Sequence, residues 1–329
     1  MPDRSAGRGL HRFAVALAVA TLGLIAAGGL VTSTESGLSV PDWPTTYGQN
    51  PFTFPPSKWV GGIRFEHTHR LIASAVGLMT VVLAVWLAWR EPRAWVRRLG
   101  WLALAAVVAQ GILGGLTVKF LLPTAISVAH ACLAQSFFCL AVTLAVVTSP
   151  KWIESAPGVS DPASRAAAGL VGLVFLQLLV GAVMRHTKAG LAIPDFPLAF
   201  GAVVPPIASF PVGIHFAHRV IALLVAAATI FGFVRAWRAG RPASKRIWAV
   251  LVGLVVLQIA LGAATVLSKK DFRIATAHVA TGALLLGTSL AGALVARRRK
   301  SARRVEGRIF PMPLAGRRSS SSYPLRRVK

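Results

Sequence analysis

The chain is poor in charge. Only 14% of its 329 residues are Asp, Glu, Lys or Arg, while 55% are hydrophobic. That excludes an ordinary soluble domain, in which about a quarter of residues are charged. Acidic residues are scarcest: ten, against 36 Lys and Arg. Cysteine is limited to Cys132 and Cys139. On one helix these two would share a face about two turns apart, beyond the roughly 7 Å Cα–Cα limit for a disulfide, so both read as packing residues.

What remains is apolar and comes in blocks. Eight runs, near 12–32, 67–89, 99–118, 125–148, 167–185, 214–236, 246–267 and 274–296, reach the roughly 20 residues that cross a bilayer core. Lipid cannot satisfy backbone N–H and C=O groups, so such runs must be helices. The expected fold is an all-α integral membrane protein with eight transmembrane helices. A first run preceded by basic residues could be a signal peptide, but its length and a counterpart in the second half make it a retained span.

The net charge of +26 raises nucleic acid as a partner; its distribution argues against one. Arg4, Arg8 and Arg12 precede the first run. Arg90, Arg93, Arg97 and Arg98 join runs two and three, Arg235, Arg238, Arg241, Lys245 and Arg246 join six and seven, and twelve Lys or Arg follow Ala296. The alternate loops hold far fewer. The positive-inside rule then puts both termini in the cytoplasm. The Arg- and Ser-rich tail, 297–329, is expected to be disordered and to lie on anionic lipid heads.

The sequence repeats itself. "GGLVTSTESGLSVPDWPTTYG" (28–48) returns as "GAVMRHTKAGLAIPDFPLAFG" (181–201), and "FEHTHRLIASAVGL" (65–78) as "IHFAHRVIALLVAA" (214–227). "QGILGGLTV" (110–118) returns as "QIALGAATV" (258–266), and "AISVAHACLAQSFF" (125–138) as "RIATAHVATGALLL" (273–286). Two tandem four-helix bundles follow, 1–148 and 167–296, joined by a cytoplasmic linker, 149–166. Each half has an even number of spans, so the repeat is parallel. The outer loops, 33–65 and 186–213, share G-L-x-[VI]-P-D-[WF]-P. They read as interfacial loops anchored by Trp43 and Phe196, or as lids over something bound below; the two readings are compatible.

Four histidines occupy repeat-matched places: His69 with His218, and His130 with His278. All four fall just inside the outer ends of their runs. One histidine near a membrane helix end is ordinarily interfacial or hydrogen-bonded. Four at one level, twice at the same spacing, suggest two axial pairs for heme iron, His69/His130 and His218/His278, each facing across a bundle interior. With no CxxCH in the chain, such a heme is not covalently attached. Arg70 and Arg219 each follow a first ligand and suit a heme propionate; the alternative is a guanidinium that snorkels to the interface. Glu66 shares a helical face with His69, whereas His215 stands in its place in the second half. The carboxylate makes the first site chemically distinct, a candidate for moving protons. His67 and His186 read as solvated helix-edge or loop residues, His11 as cytoplasmic, and His215 as inert or bonded to a propionate.

"GLSVPDWP", "EHTHR", "AHACLAQ", "GLAIPDFP", "FAHR" and "ATAHVATG", in that order among eight runs, resemble the heme A synthase family over roughly 12–296. The resemblance implies an oxygen-using oxidoreductase of cytochrome oxidase assembly that converts a ring methyl of heme O to the formyl of heme A. It implies His69 and His130 as ligands of the substrate or product heme, His218 and His278 as ligands of a heme b cofactor, and Glu66 as the essential carboxylate. It also implies partners: membrane lipid, the enzyme that supplies heme O, oxidase assembly factors and an electron donor. Some members carry cysteine pairs in the outer loops; these loops have none, so a loop disulfide takes no part here. The short segment before the first run points to a bacterial plasma membrane. Two rivals use parts of the same pattern. A di-heme b-type electron carrier would use the same ligands, and a repeat-built transporter would show ionisable groups near the midplane.

Overall fold

A computed structural model describes residues 4–157, 162–239 and 242–300. Eight long helices account for nearly all of them: α1 (Arg4–Ser33), α2 (Gly61–Arg90), α3 (Ala94–Lys119), α4 (Thr124–Val147), α6 (Pro162–His186), α7 (Phe210–Arg238), α8 (Pro242–Leu267) and α9 (Phe272–Ala296). A single turn, α5 (Pro150–Ile153), follows α4. All eight are long and apolar enough to span a bilayer, and Leu78, Leu224 and Val256 stand exposed on them, as expected where lipid replaces water as solvent.

The helices close into two rings. α1 packs on α2 and α4, and α3 lies between α2 and α4; α6, α7, α8 and α9 repeat that order. The rings meet where α9 lies against α1 and α4, and where α4 meets α6. Strand β1 (Ser155–Pro157) pairs antiparallel with β2 (Arg298–Lys300), which brings the ends of α4 and α9 to one face. At the opposite face, Thr124 at the start of α4 donates to the carbonyl of His186 at the end of α6. Arg185 of α6 donates to Gly29 O and Ser33 Oγ of α1, both at 2.7 Å. The rest of the basic tail, 301–329, for which disorder was expected, lies outside the described residues.

The turns repeat as well as the helices. Leu121 and Leu122 close α3 in the left-handed region, as Lys269 and Lys270 close α8. The last amide of each pair donates back to a matched threonine carbonyl, Leu122 N to Thr117 O and Lys270 N to Thr265 O. A hydrogen bond of this kind covers carbonyls that a helix end leaves open.

Small residues let the helices approach. Gly232 of α7 lies directly under the Trp248 ring of α8, where a Cβ would overlap the indole. Gly232→Ala is therefore expected to destabilise the second bundle by about 1–3 kcal/mol through overpacking. Thermal unfolding in detergent would read this as a lowered Tm, while Gly253→Ala, with open space around it, would serve as the unaffected control.

Candidate functional site

Helix α2 begins six residues before its apolar run. The polar stretch Arg64–His69 thus lies inside the helix rather than at its mouth, because the outer loop supplies partners for its side chains. Glu66 is 3% exposed. Its Oε2 accepts from Val40 N at 2.8 Å and its Oε1 from Arg70 at 2.6 Å. Arg70 continues into the loop, donating to Val40 O, Asp42 O and Thr45 O. The second half repeats the clasp with different chemistry. There Ile193 N donates to His215 Nδ1, and Arg219 donates to Ile193 O, Asp195 O and Leu198 O. His215 is thus neither inert nor free; it holds a loop amide as Glu66 does. Both arginines spend most of their donors on loop carbonyls.

Asp42 and Asp195 shape these loops from within. Asp42 accepts from Tyr47 N and Gly48 N, and Asp195 from Phe200 N and Gly201 N, at 2.7–2.8 Å. The turn puts Tyr47 and Phe200 at positive φ, a region non-glycine residues seldom occupy. Burial works to raise the Asp42 carboxyl, but donation from Gly48 N, Thr45 and Tyr47 N outweighs it and holds the group below its usual value. The amides of Gly201 and Phe200 hold Asp195 down in the same way. A depressed carboxyl contributes its anchoring fully above the ordinary pKa of about 3.9 and loses it as pH falls through the lower, folded value. Loop protection against protease is therefore expected to be flat down to about pH 4 and to fall below it, with Asp42→Asn cutting that protection at neutral pH.

Beneath the loops lies one continuous cavity of about 2160 Å³, lined by residues from all eight long helices. Ordinary small-molecule pockets reach about 1,000 Å³, so there is room here for more than one large flat ligand. Trp43, Pro44, Phe196 and Pro197 of the outer loops line it. Trp43 lies on Gly115 of α3, where a Cβ would come within 2.5 Å of its ring, and Arg219 sits over Phe196. The loops thus cover the cavity rather than merely anchoring to an interface.

All four matched histidines line it, as do Glu66, Arg70 and Arg219. Each ring turns one edge against a glycine of a neighbouring helix. A Cβ would come within 3.0 Å of His69 at Gly28, 3.2 Å of His130 at Gly114, 3.0 Å of His218 at Gly181, and 3.1 Å of His278 at Gly262. The Nδ1 of every one is buried without a partner. No Nε2 among the four is buried and unpartnered in this way. The rings of His218 and His278 stand 6.4 Å apart, centre to centre. That is roughly what two metal–imidazole bonds of about 2.0–2.1 Å leave between facing rings. Two imidazoles are too few for a bare ion but enough for a heme iron, whose porphyrin supplies the other ligands. The residues present therefore fit the group.

Some participants escaped the sequence reading. Gln110, Gln177 and Gln258 each donate to the carbonyl of a cavity histidine; their recurrence in "QGILGGLTV" and "QIALGAATV" was the available signal for two of them. His67, expected at a solvated edge, is completely buried. It packs against Phe54 and Trp59, with its Nδ1 at 3.2 Å from Thr46 Oγ1. The helix turns it away from His69 toward the loop, whose aromatic residues enclose it. His186 lines the cavity, and His11 bonds Ala145 O. Cys132 and Cys139 are free thiols.

Comparison with known proteins agrees with this architecture. The COX15-CtaA family model, described as cytochrome oxidase assembly protein, matches residues 11–59 and 63–290. A protein of Halalkalibacterium halodurans named heme A synthase is 30% identical over 295 residues, covering 85% of this chain and 95% of its own. A heme A synthase of Symbiobacterium thermophilum is 32% identical, covering 76% of this chain and 84% of its own. One of Beijerinckia indica is 28% identical, covering 84% and 89%. A family match that runs through both helical rings, loops included, makes this chain a member of the COX15-CtaA family of cytochrome oxidase assembly proteins.

Proposed function

We infer that the protein is a heme A synthase, an integral membrane oxidoreductase that converts heme O to heme A. The observation that carries the reading is the single covered cavity in which two histidine pairs, one with a carboxylate beside it, stand on glycine-cleared walls. The substrate heme O occupies the first bundle, between His69 and His130. A resident heme b would be held in the second by His218 and His278, and would supply one-electron chemistry when bound. Both sites lie near the outer face of a bacterial plasma membrane, with both termini in the cytoplasm.

The chemistry needs two oxidations of one methyl group. Each hydroxylation consumes dioxygen, two electrons from an external donor and two protons, and releases one water. The second gives a geminal diol, which loses water to become the formyl group. Glu66 lies in the cavity wall on the face of α2 that carries His69, and it is the carboxylate positioned to deliver those protons. Arg70 fixes Glu66 and ties it to the loop. Together the loop clasps of both halves exclude water from the sites and hold the walls in place. Arg70 and Arg219 both line the cavity, and their positive charge there would suit heme propionates.

The discriminating experiment is an optical spectrum of purified protein followed by acid-acetone extraction of its pigments. Heme b together with heme O or heme A is the expected result. Heme b alone would instead favour a di-heme electron carrier, and no heme a transporter.

A further inference from the structure

Three of the four repeat-matched histidines share a support that the fourth lacks. Gln110 on α3, Gln177 on α6 and Gln258 on α8 donate to the carbonyls of His130, His218 and His278 at 2.9, 2.9 and 3.0 Å. The same amide nitrogens lie 3.4, 3.3 and 3.4 Å from the ring Nε2 atoms. A backbone carbonyl can only accept, so the amide nitrogen must be the atom facing it. The ring nitrogen beside that donor then carries the lone pair that iron would take, so a bound heme would displace the long ring contact and leave the short bond to the carbonyl as the lasting anchor.

The fourth place holds Leu24. Gly28 and Gly181 are repeat mates, each against the Cε1 of its histidine at 3.0 Å. Leu24 precedes Gly28 by the interval at which Gln177 precedes Gly181. It lines the cavity, as the three glutamines do, but has no N–H to give. Among the described residues no side chain bonds either the ring or the carbonyl of His69.

We propose that His69 is the exchangeable ligand of the first site, and that Leu24 is the positioning residue that leaves it so. The proposal rests on the heme-binding reading above and specifies which ligand yields. An outer hydrogen bond that orients a metal-bound histidine commonly alters metal affinity about 10–100-fold. The contact to the carbonyl is short and that to the ring nitrogen long, so each glutamine acts chiefly as an anchor of the ligating helix segment. Both candidate ligands of the second site are anchored, so a heme held there would keep both of them. In the first site only His130 is anchored. Opening on the His69 side exposes the position beside Glu66, the carboxylate that shares the α2 face with this ligand, where an oxidant and a proton-bearing group could meet.

Carbon monoxide is the probe, added to dithionite-reduced protein containing heme b and loaded with heme O, whose absorption bands differ. In the unmodified protein it is expected to bind the heme O site and leave heme b unchanged. Leu24→Gln is expected to weaken carbon monoxide binding at heme O by about tenfold or more. Gln177→Leu is expected to open heme b to it. Should Leu24→Gln fail to retain heme O, Gln177→Leu carries the test alone. Both hemes present, with carbon monoxide binding unmoved by the substitutions or stronger in Leu24→Gln, would overturn this inference and leave the functional reading standing. Protein that takes up no heme would overturn both.

Discussion

Glu66→Gln is expected to leave both hemes bound and to slow heme A formation by about 10²–10⁴-fold, the range that positioned acid–base groups supply. Glutamine has the same length, and its amide oxygen can still accept from Val40 N or Arg70, the two donors that hold Glu66. What it cannot do is take up and release a proton. Glu66→Ala removes the staple as well. It leaves Arg70 half-buried without its only carboxylate partner among the described residues, which costs more than the lost bond itself. The alanine variant is therefore expected to loosen the outer loop in addition, seen as faster proteolysis between Ser33 and Gly61. Timed extraction of heme O and heme A separates the two roles: a normal conversion rate in Glu66→Gln would show that the carboxylate serves only to hold the loop.

His218→Ala or His278→Ala is expected to empty the second site, lowering bound heme b by more than the roughly 10–100-fold that loss of an outer partner costs. The ring centres stand 6.4 Å apart with their planes at 66°, and each ring is one of the two ligands, so neither can cover for the other. Pigment extraction reads the outcome directly. First-site heme is expected to persist, because α1–α4 form a ring of their own. Heme b bound at the unmodified level in either variant would show that this pair is not its ligand set. The corresponding first-site variants are expected to be unequal. His130→Ala removes the anchored ligand and should lose heme O more completely than His69→Ala.

Much of this was legible in the sequence because membranes simplify the code. Backbone groups inside lipid must bond within their own segment, so apolar runs translate into helices with little ambiguity. The ends of the runs were less legible. Helix α2 was expected from 67 and begins at Gly61, since Arg64, Glu66 and His67 lower the hydropathy of a segment that is nonetheless helical. Glu66 and His67 bond Val40 and Thr46 of the outer loop, more than twenty residues away in sequence, which no local window can register. The polar character of His67 suggested solvent, but its burial depends on Phe54 and Trp59 folding over it.

By itself the sequence determined the eight helices, the internal repeat and the four repeat-matched histidines, because helical period and repeat register are properties of residue order. The tertiary structure alone decided that both pairs open into one cavity, that Arg70 and Arg219 grip the loops, and that Leu24 leaves His69 without the anchor its three counterparts have. Those facts depend on which side chain meets which across neighbouring helices, and only packing in three dimensions sets that distance.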